Sequence, residues 1–143
     1  MEGWIKIHRD LQNWRFYFGE PFTRTQAWLD LLLLAYFKET TMYIHNIETT
    51  INRGELPHGI EFLSKRWKWG QRKTRTFLVT LEKELMITRK TQHQYCTVTT
   101  ILNYEKYQMS EELTQELTKG LTQDKYKKEK KEKNNSLNKE LVQ

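Results

Sequence analysis

Apolar and polar positions change their period along this chain, and each period predicts an element. The opening Gly3-Trp4-Ile5-Lys6-Ile7-His8-Arg9 alternates every second residue, which fits the start of a strand or an extended arm laid across a core. Trp14, Phe16, Tyr17 and Phe18 add aromatics. Thr23, with Gln26 three residues on, makes a capping-box pattern, and the apolar run over residues 27–36 supplies a helix. Apolar on most sides, with Leu31-Leu32-Leu33-Leu34 as plain core, it is expected to be the central buried helix. Ile44, Ile47, Thr49, Thr50 and Ile51 are β-branched and stop at Asn52-Arg53-Gly54, so residues 43–51 predict one short strand.

Pro57 and Gly59 break the chain before a helix in which Ile60, Leu63 and Trp67 share a face and which ends around Lys68. Gly70 marks a turn. Residues 71–85 then predict a second helix, with Phe77, Leu78, Leu81 and Leu85 buried and Thr74 at the edge of that face. Rotation by about 100° per residue puts Arg72, Thr76 and Lys83 on the opposite side. Residues 87–91 and 96–101 are two β-rich runs joined by Gln92-His93-Gln94-Tyr95, a hairpin that directly follows the helix. The order helix, strand, helix, turn, helix, hairpin is that of a winged helix-turn-helix, a mainly α fold with a small β-sheet (α+β).

Charge sharpens this picture. Residues 65–75 read KRWKWGQRKTR, with six Lys/Arg and no acid, a charge of +6 that equals the formal net charge of the whole chain. Residues 1–108 hold 16 Lys/Arg against 11 Asp/Glu, whereas residues 109–143 hold 8 against 7, so the basicity belongs to the first segment. Seventeen of the 18 aromatic residues also fall before residue 108. One folded domain is therefore expected over residues 1–108, followed by a polar Lys/Glu-rich tail over 109–143 that is disordered or partly helical. Within the tail, Leu113, Leu117 and Leu121 recur every fourth residue, with Ser110 available as a cap.

Candidate chemistry narrows the function. The chain has no Walker-type phosphate loop, no G-x-G-x-x-G turn and no G-x-S-x-G elbow, and its four His residues stand far apart, so an enzyme is not expected. Cys96 is a lone cysteine; paired with His93 it makes a poor zinc site, and no metal or cofactor is expected. A reducing, cytoplasmic setting fits the cysteine usage. The longest apolar run, residues 31–37, is far short of the ~20 residues that span a bilayer, so no membrane partner is expected. Nucleic-acid binding remains. A recognition helix enters the major groove by its opening turns, which makes Gln71, Arg72, Lys73, Arg75 and Thr76 the candidates for double-stranded DNA. Arg can grip guanine and Gln adenine bidentately, while Lys65, Arg66 and Lys68 would contact backbone phosphates, with Arg89 and Lys90 of the hairpin reaching an adjacent groove.

The ordered set Gly-Trp-Ile-Lys-Ile-His-Arg at the start, Arg53-Gly54-Glu55, Leu63-Ser64-Lys65-Arg66-Trp67-Lys68-Trp69, Lys73-Thr74-Arg75-Thr76-Phe77-Leu78 with Leu81-Glu82, and Ile101-Leu102-Asn103-Tyr104-Glu105-Lys106-Tyr107-Gln108 resembles the N-terminal winged-helix domain of phage and mobile-element replisome organisers, the DnaD-like replication initiation proteins. The resemblance implies binding of origin DNA through the winged helix and a role in recruiting the replicative helicase or its loader. It also implies a homo-oligomer as an open alternative. The longer members carry a second helical domain that this chain does not show after Gln108, and Gly70 stands where relatives place a Ser or Asn cap. Two other readings of the same residues are a winged-helix transcriptional regulator and a winged-helix self-assembly module without DNA binding.

Overall fold

The computed structural model of the chain describes residues 3–108 and Lys119; the expected tail helix and low-complexity run lie outside the described residues. The chain divides into two compact units, Lys6–Tyr107 and a second made of Met1–Ile5 with Gln108–Gln143. The first unit carries an α+β fold. Among the described residues it begins with a short 3-10 helix, Arg9–Asn13, and continues through α1 (Arg24–Leu34), β1 (Thr40–Ile44), β2 (Ile47–Ile51), β3 (Glu55–Leu56), α2 (Ile60–Trp67), α3 (Gln71–Lys83), β4 (Ile87–Gln92), β5 (Cys96–Ile101) and α4 (Tyr104–Gln108). The alternation of residues 3–9 does not become a strand; it gives way to the 3-10 helix at Arg9.

The capping box forms as the sequence predicts. Thr23 Oγ1 accepts from the Gln26 amide at 3.2 Å, and Gln26 Oε1 accepts from the Thr23 amide at 2.7 Å, satisfying two donors that a helix start otherwise leaves open. The helix stops at Leu34, short of Tyr36, because the chain turns extended at Ala35. There the Arg9 guanidinium donates to the Ala35 carbonyl at 2.8 Å and to the Tyr104 hydroxyl at 2.9 Å, placing a cation at the carbonyl end of the helix.

Residues 43–51 are not one strand. They are the tip and second arm of an antiparallel hairpin in which Thr40 pairs with Ile51 and Ile44 with Ile47. His45 and Asn46, both at positive φ (49° and 62°), make the two-residue turn, the left-handed pair that a tight hairpin requires. A second, three-stranded antiparallel sheet has the order β3-β5-β4, with Ile87 opposite Ile101 and Gln92 opposite Cys96, while the two-residue β3 pairs Glu55 with Thr100. Side chains of a strand alternate faces, so Ile101 and Cys96/Val98 point to opposite sides of this sheet. Ile101, with Leu56 and Ile87, packs into the helical core of Ala27, Leu31, Leu63, Trp67, Phe77, Leu78 and Leu81. Cys96 and Val98 pack with Ile51, Met42 and Ile44, so the β1–β2 hairpin covers the other face.

Gly54 joins these layers. Its amide donates to the Tyr36 carbonyl at 2.7 Å and its carbonyl accepts from the Ile101 amide at 2.8 Å, while φ is +84° and a Cβ there would stand 3.0 Å from Cβ of Tyr104. Only glycine fits that crossing without strain.

Candidate nucleic-acid interface

The α2–α3 step is built by an unusual helix end. α2 closes with Lys68 in the left-handed region (φ 55°), and the Trp69 amide reaches back to the Ser64 carbonyl at 2.9 Å, a Schellman-type termination without glycine. Trp69 is thereby turned inward. Its indole donates to the Phe22 carbonyl at 2.7 Å and its ring packs edge-on against Trp67 and Phe77, so it is a core residue and not a base-stacking one. α3 starts at Gly70 with no side-chain cap. In its first turn the Thr74 hydroxyl donates to the Gly70 carbonyl at 3.1 Å, and the helix is held by packing of Thr74, Phe77, Leu78 and Leu81.

Burying that face turns the rest of α3 to solvent. Gln71, Arg72, Lys73, Arg75 and Thr76 are all exposed, and so is Lys83 two turns on. By rotation Arg72, Thr76 and Lys83 lie on the stripe opposite the core, Arg75 to one side of it and Lys73 to the other. Lys73 Nζ stands 4.2 Å from the centre of the Trp69 ring, a cation–π contact that steers the side chain along the start of the helix. Among the described residues no acidic side chain pairs with Arg72, Lys73, Arg75 or Lys83. Lys83 was legible as part of this stripe from its rotation, yet it lies outside the opening turns on which sequence reasoning concentrated.

The other cations of the basic window divide. Lys65 is exposed and pairs with Glu61 one turn earlier at 3.0 Å. Lys68 is exposed and donates to the Phe18 carbonyl at 2.8 Å. Arg66 turns away from the surface: its Nε and Nη2 donate to the two carboxylate oxygens of Asp30 at 2.7 and 2.9 Å, Nη2 also meets Gln12, and the guanidinium lies 4.8 Å from the centre of the Phe18 ring. Asp30 is fully buried and takes two further bonds, from Trp67 Nε1 at 2.8 Å and from the Tyr17 hydroxyl at 2.5 Å. Burial, reinforced by that bond to Asp30, holds the Tyr17 phenol protonated well above its ordinary range. Arg66 is therefore a scaffold residue, held inward on Asp30 and not presented to a phosphate as the sequence led one to expect. Nothing in the sequence pairs it with a carboxylate 36 residues away; only the packing of α1 on α2 does.

On the hairpin, Arg89 is mostly buried and bonds through Nε to Glu82 on α3 at 2.7 Å. It ties β4 to the helix rather than projecting outward. Lys90 is exposed and pairs across the ladder with Val98. His93 sits exposed in the hairpin turn, whereas Cys96 faces the core beneath β1–β2, and burial raises the Cys96 thiol above its usual range. Leu85, expected on the buried face of α3, is instead 73% exposed: with φ at 57° it is the left-handed residue that lets the Met86 amide return to the Leu81 carbonyl at 2.9 Å. Comparison with protein-family models, curated proteins and solved structures gives no match, so the functional reading rests on this geometry and on the sequence.

Proposed function

We propose that this chain is a winged-helix DNA-binding protein that reads duplex DNA with α3 and steadies it with the β4–β5 hairpin. The observation that carries the reading is the outward face of α3, where Arg72, Lys73, Arg75 and Lys83 stand exposed without an acidic partner among the described residues. The element order and the β3-β5-β4 sheet that backs α2 and α3 support it. Gln71, Arg72 and Thr76 are assigned to base edges, and Lys68, Lys73, Arg75, Lys83 and Lys90 to phosphates. Lys65, already paired at the surface, contributes little. The role in replication initiation of a phage or mobile element, in the cytoplasm of a bacterial host and with a helicase or loader as partner, rests on the resemblance to DnaD-like proteins.

Fluorescence anisotropy with labelled duplex DNA across salt concentrations tests the reading. Changing Arg72, Lys73 and Arg75 together to Ala should flatten the dependence of log affinity on log salt by roughly 0.9 unit for each phosphate no longer neutralised. Absence of duplex binding by the unaltered chain at low salt would sink the proposal and turn α3 into a protein-docking face.

A further inference from the structure

Beside the α2–α3 turn lies an aromatic surface that the duplex reading does not use. Residues 13–19 form successive tight turns, with the Tyr17 amide donating to the Trp14 carbonyl at 2.9 Å and the Gly19 amide to the Phe16 carbonyl at 3.2 Å. This winding sends Tyr17 inward to Asp30 and leaves Trp14 and Phe16 outside, 58% and 57% exposed. The two rings touch edge to face at 5.2 Å, and the Arg15 guanidinium lies 4.4 Å from the centre of the Phe16 ring. Scattered exposed apolar residues are ordinary, but two large aromatics held in contact and both more than half exposed are not. The loop is fixed from beneath, by Tyr17 on the buried Asp30 and by Lys68 on the Phe18 carbonyl. Residues 11–19 contain no acid.

Protein interfaces also use Trp and Arg, so the choice of partner turns on charge: residues 11–19 carry a cation and no acid. Here a guanidinium is layered on one aromatic face and an ammonium stands at the end of the same loop, which is the pairing of π-faces with backbone-neutralising cations that unpaired nucleotides demand. We propose that Trp14, Arg15 and Phe16, with Lys68 at the edge, form a stacking platform for the bases of a single-stranded nucleic acid. Bases stack on the open Trp14 face and against the Arg15–Phe16 layer, and phosphates pass Lys68 toward the start of α3. The inference deepens the DNA-binding reading and rests on it for the course of the strand; the two share Lys68 alone, and the stacking residues Trp14, Arg15 and Phe16 belong only to the platform.

The test measures binding of the full chain to fluorescein-labelled dT and rU oligomers and to a duplex, for the unaltered protein and for Trp14→Ala/Phe16→Ala and Arg72→Ala/Arg75→Ala. A 2-aminopurine placed in the single strand reports stacking directly. Loss of Trp14 and Phe16 should weaken single-strand binding by about five- to a hundredfold per stacked base, abolish the 2-aminopurine quench and leave duplex affinity within about twofold. Trp14→Phe should restore much of the quench. Both variants replace exposed side chains, so an unchanged melting temperature accompanies the expected result. Single-strand binding or quenching that survives the double substitution overturns the platform, as does a change in oligomeric state with nucleic-acid binding intact. Duplex binding without any single-strand binding overturns the platform and spares the α3 reading. Single-strand binding without duplex binding does the reverse.

Discussion

A fully buried carboxylate with four hydrogen bonds, Asp30, is the one buried charged group among the described residues, and disturbing it is costly. Asp30 compensates its desolvation through Arg66, Trp67 and Tyr17, and each of those donors is in turn positioned by Asp30. Asp30→Ala would leave the mostly buried Arg66 charge unpaired, and a loss of about 3–5 kcal/mol in urea unfolding is expected. Arg66→Ala should likewise destabilise the fold while leaving the salt slope of DNA binding unchanged; a stable Arg66→Ala protein with a flattened slope would return Arg66 to the interface. His58 offers a second residue-level test. Burial, and then the nearby Arg66, lowers its proton affinity below the ordinary 6.5, so the unfolded chain binds the proton more readily than the folded one. Its contribution to stability is complete above 6.5 and is lost as pH falls from there through the lower folded value. The urea midpoint should therefore drop as pH falls below about 6.5, and His58→Gln should make that drop shallower.

At the scale of elements, the joints matter more than the elements they join. Gly54 carries a hydrogen bond to the end of α1 and another to β5 while lying against Tyr104. Gly54→Ala combines a positive φ with a contact tighter than most side chains make, and a loss of about 1–3 kcal/mol should appear as a lower melting temperature. The turn at Asn52-Arg53-Gly54, the Thr23–Gln26 box and the amphipathic faces of α2 and α3 were legible in the sequence because each depends on a local pattern, whereas the glycine's approach to Tyr104 and β5 depends on packing. The His45–Asn46 turn was not, since neither residue is a glycine and the β-branched residues on both sides read as one continuous strand. β3 escaped for another reason: two residues become a strand only when β5 offers them an edge. The same division holds for the candidate site. Arg72, Lys73 and Arg75 are exposed as their rotation on α3 implies, whereas the inward turns of Arg66 and Arg89 depend on Asp30 and Glu82, partners that only tertiary packing supplies.

For the unit Lys6–Tyr107 as a whole, the two faces of one small sheet are the organising feature, helices on one side and the β1–β2 hairpin on the other. Cys96 lies under that hairpin and serves as a reporter of whether the cover opens by itself. Its thiol should react with a thiol reagent only as fast as the whole unit unfolds, and addition of urea should bring the labelling rate into step with the loss of helical signal. Rapid labelling under native conditions would show that the hairpin lifts while the helical side stays packed. The helical side also contains all that holds α3 in place: Thr74, Phe77, Leu78 and Leu81 in the core, and Glu82 bonded to Arg89. None of these anchors is on the outward stripe of Arg72, Thr76 and Lys83. The stripe is thus a cassette, and its letters can be rewritten one by one while the frame that carries them stays put, so under the proposed DNA-binding reading a change of target asks for no change of fold.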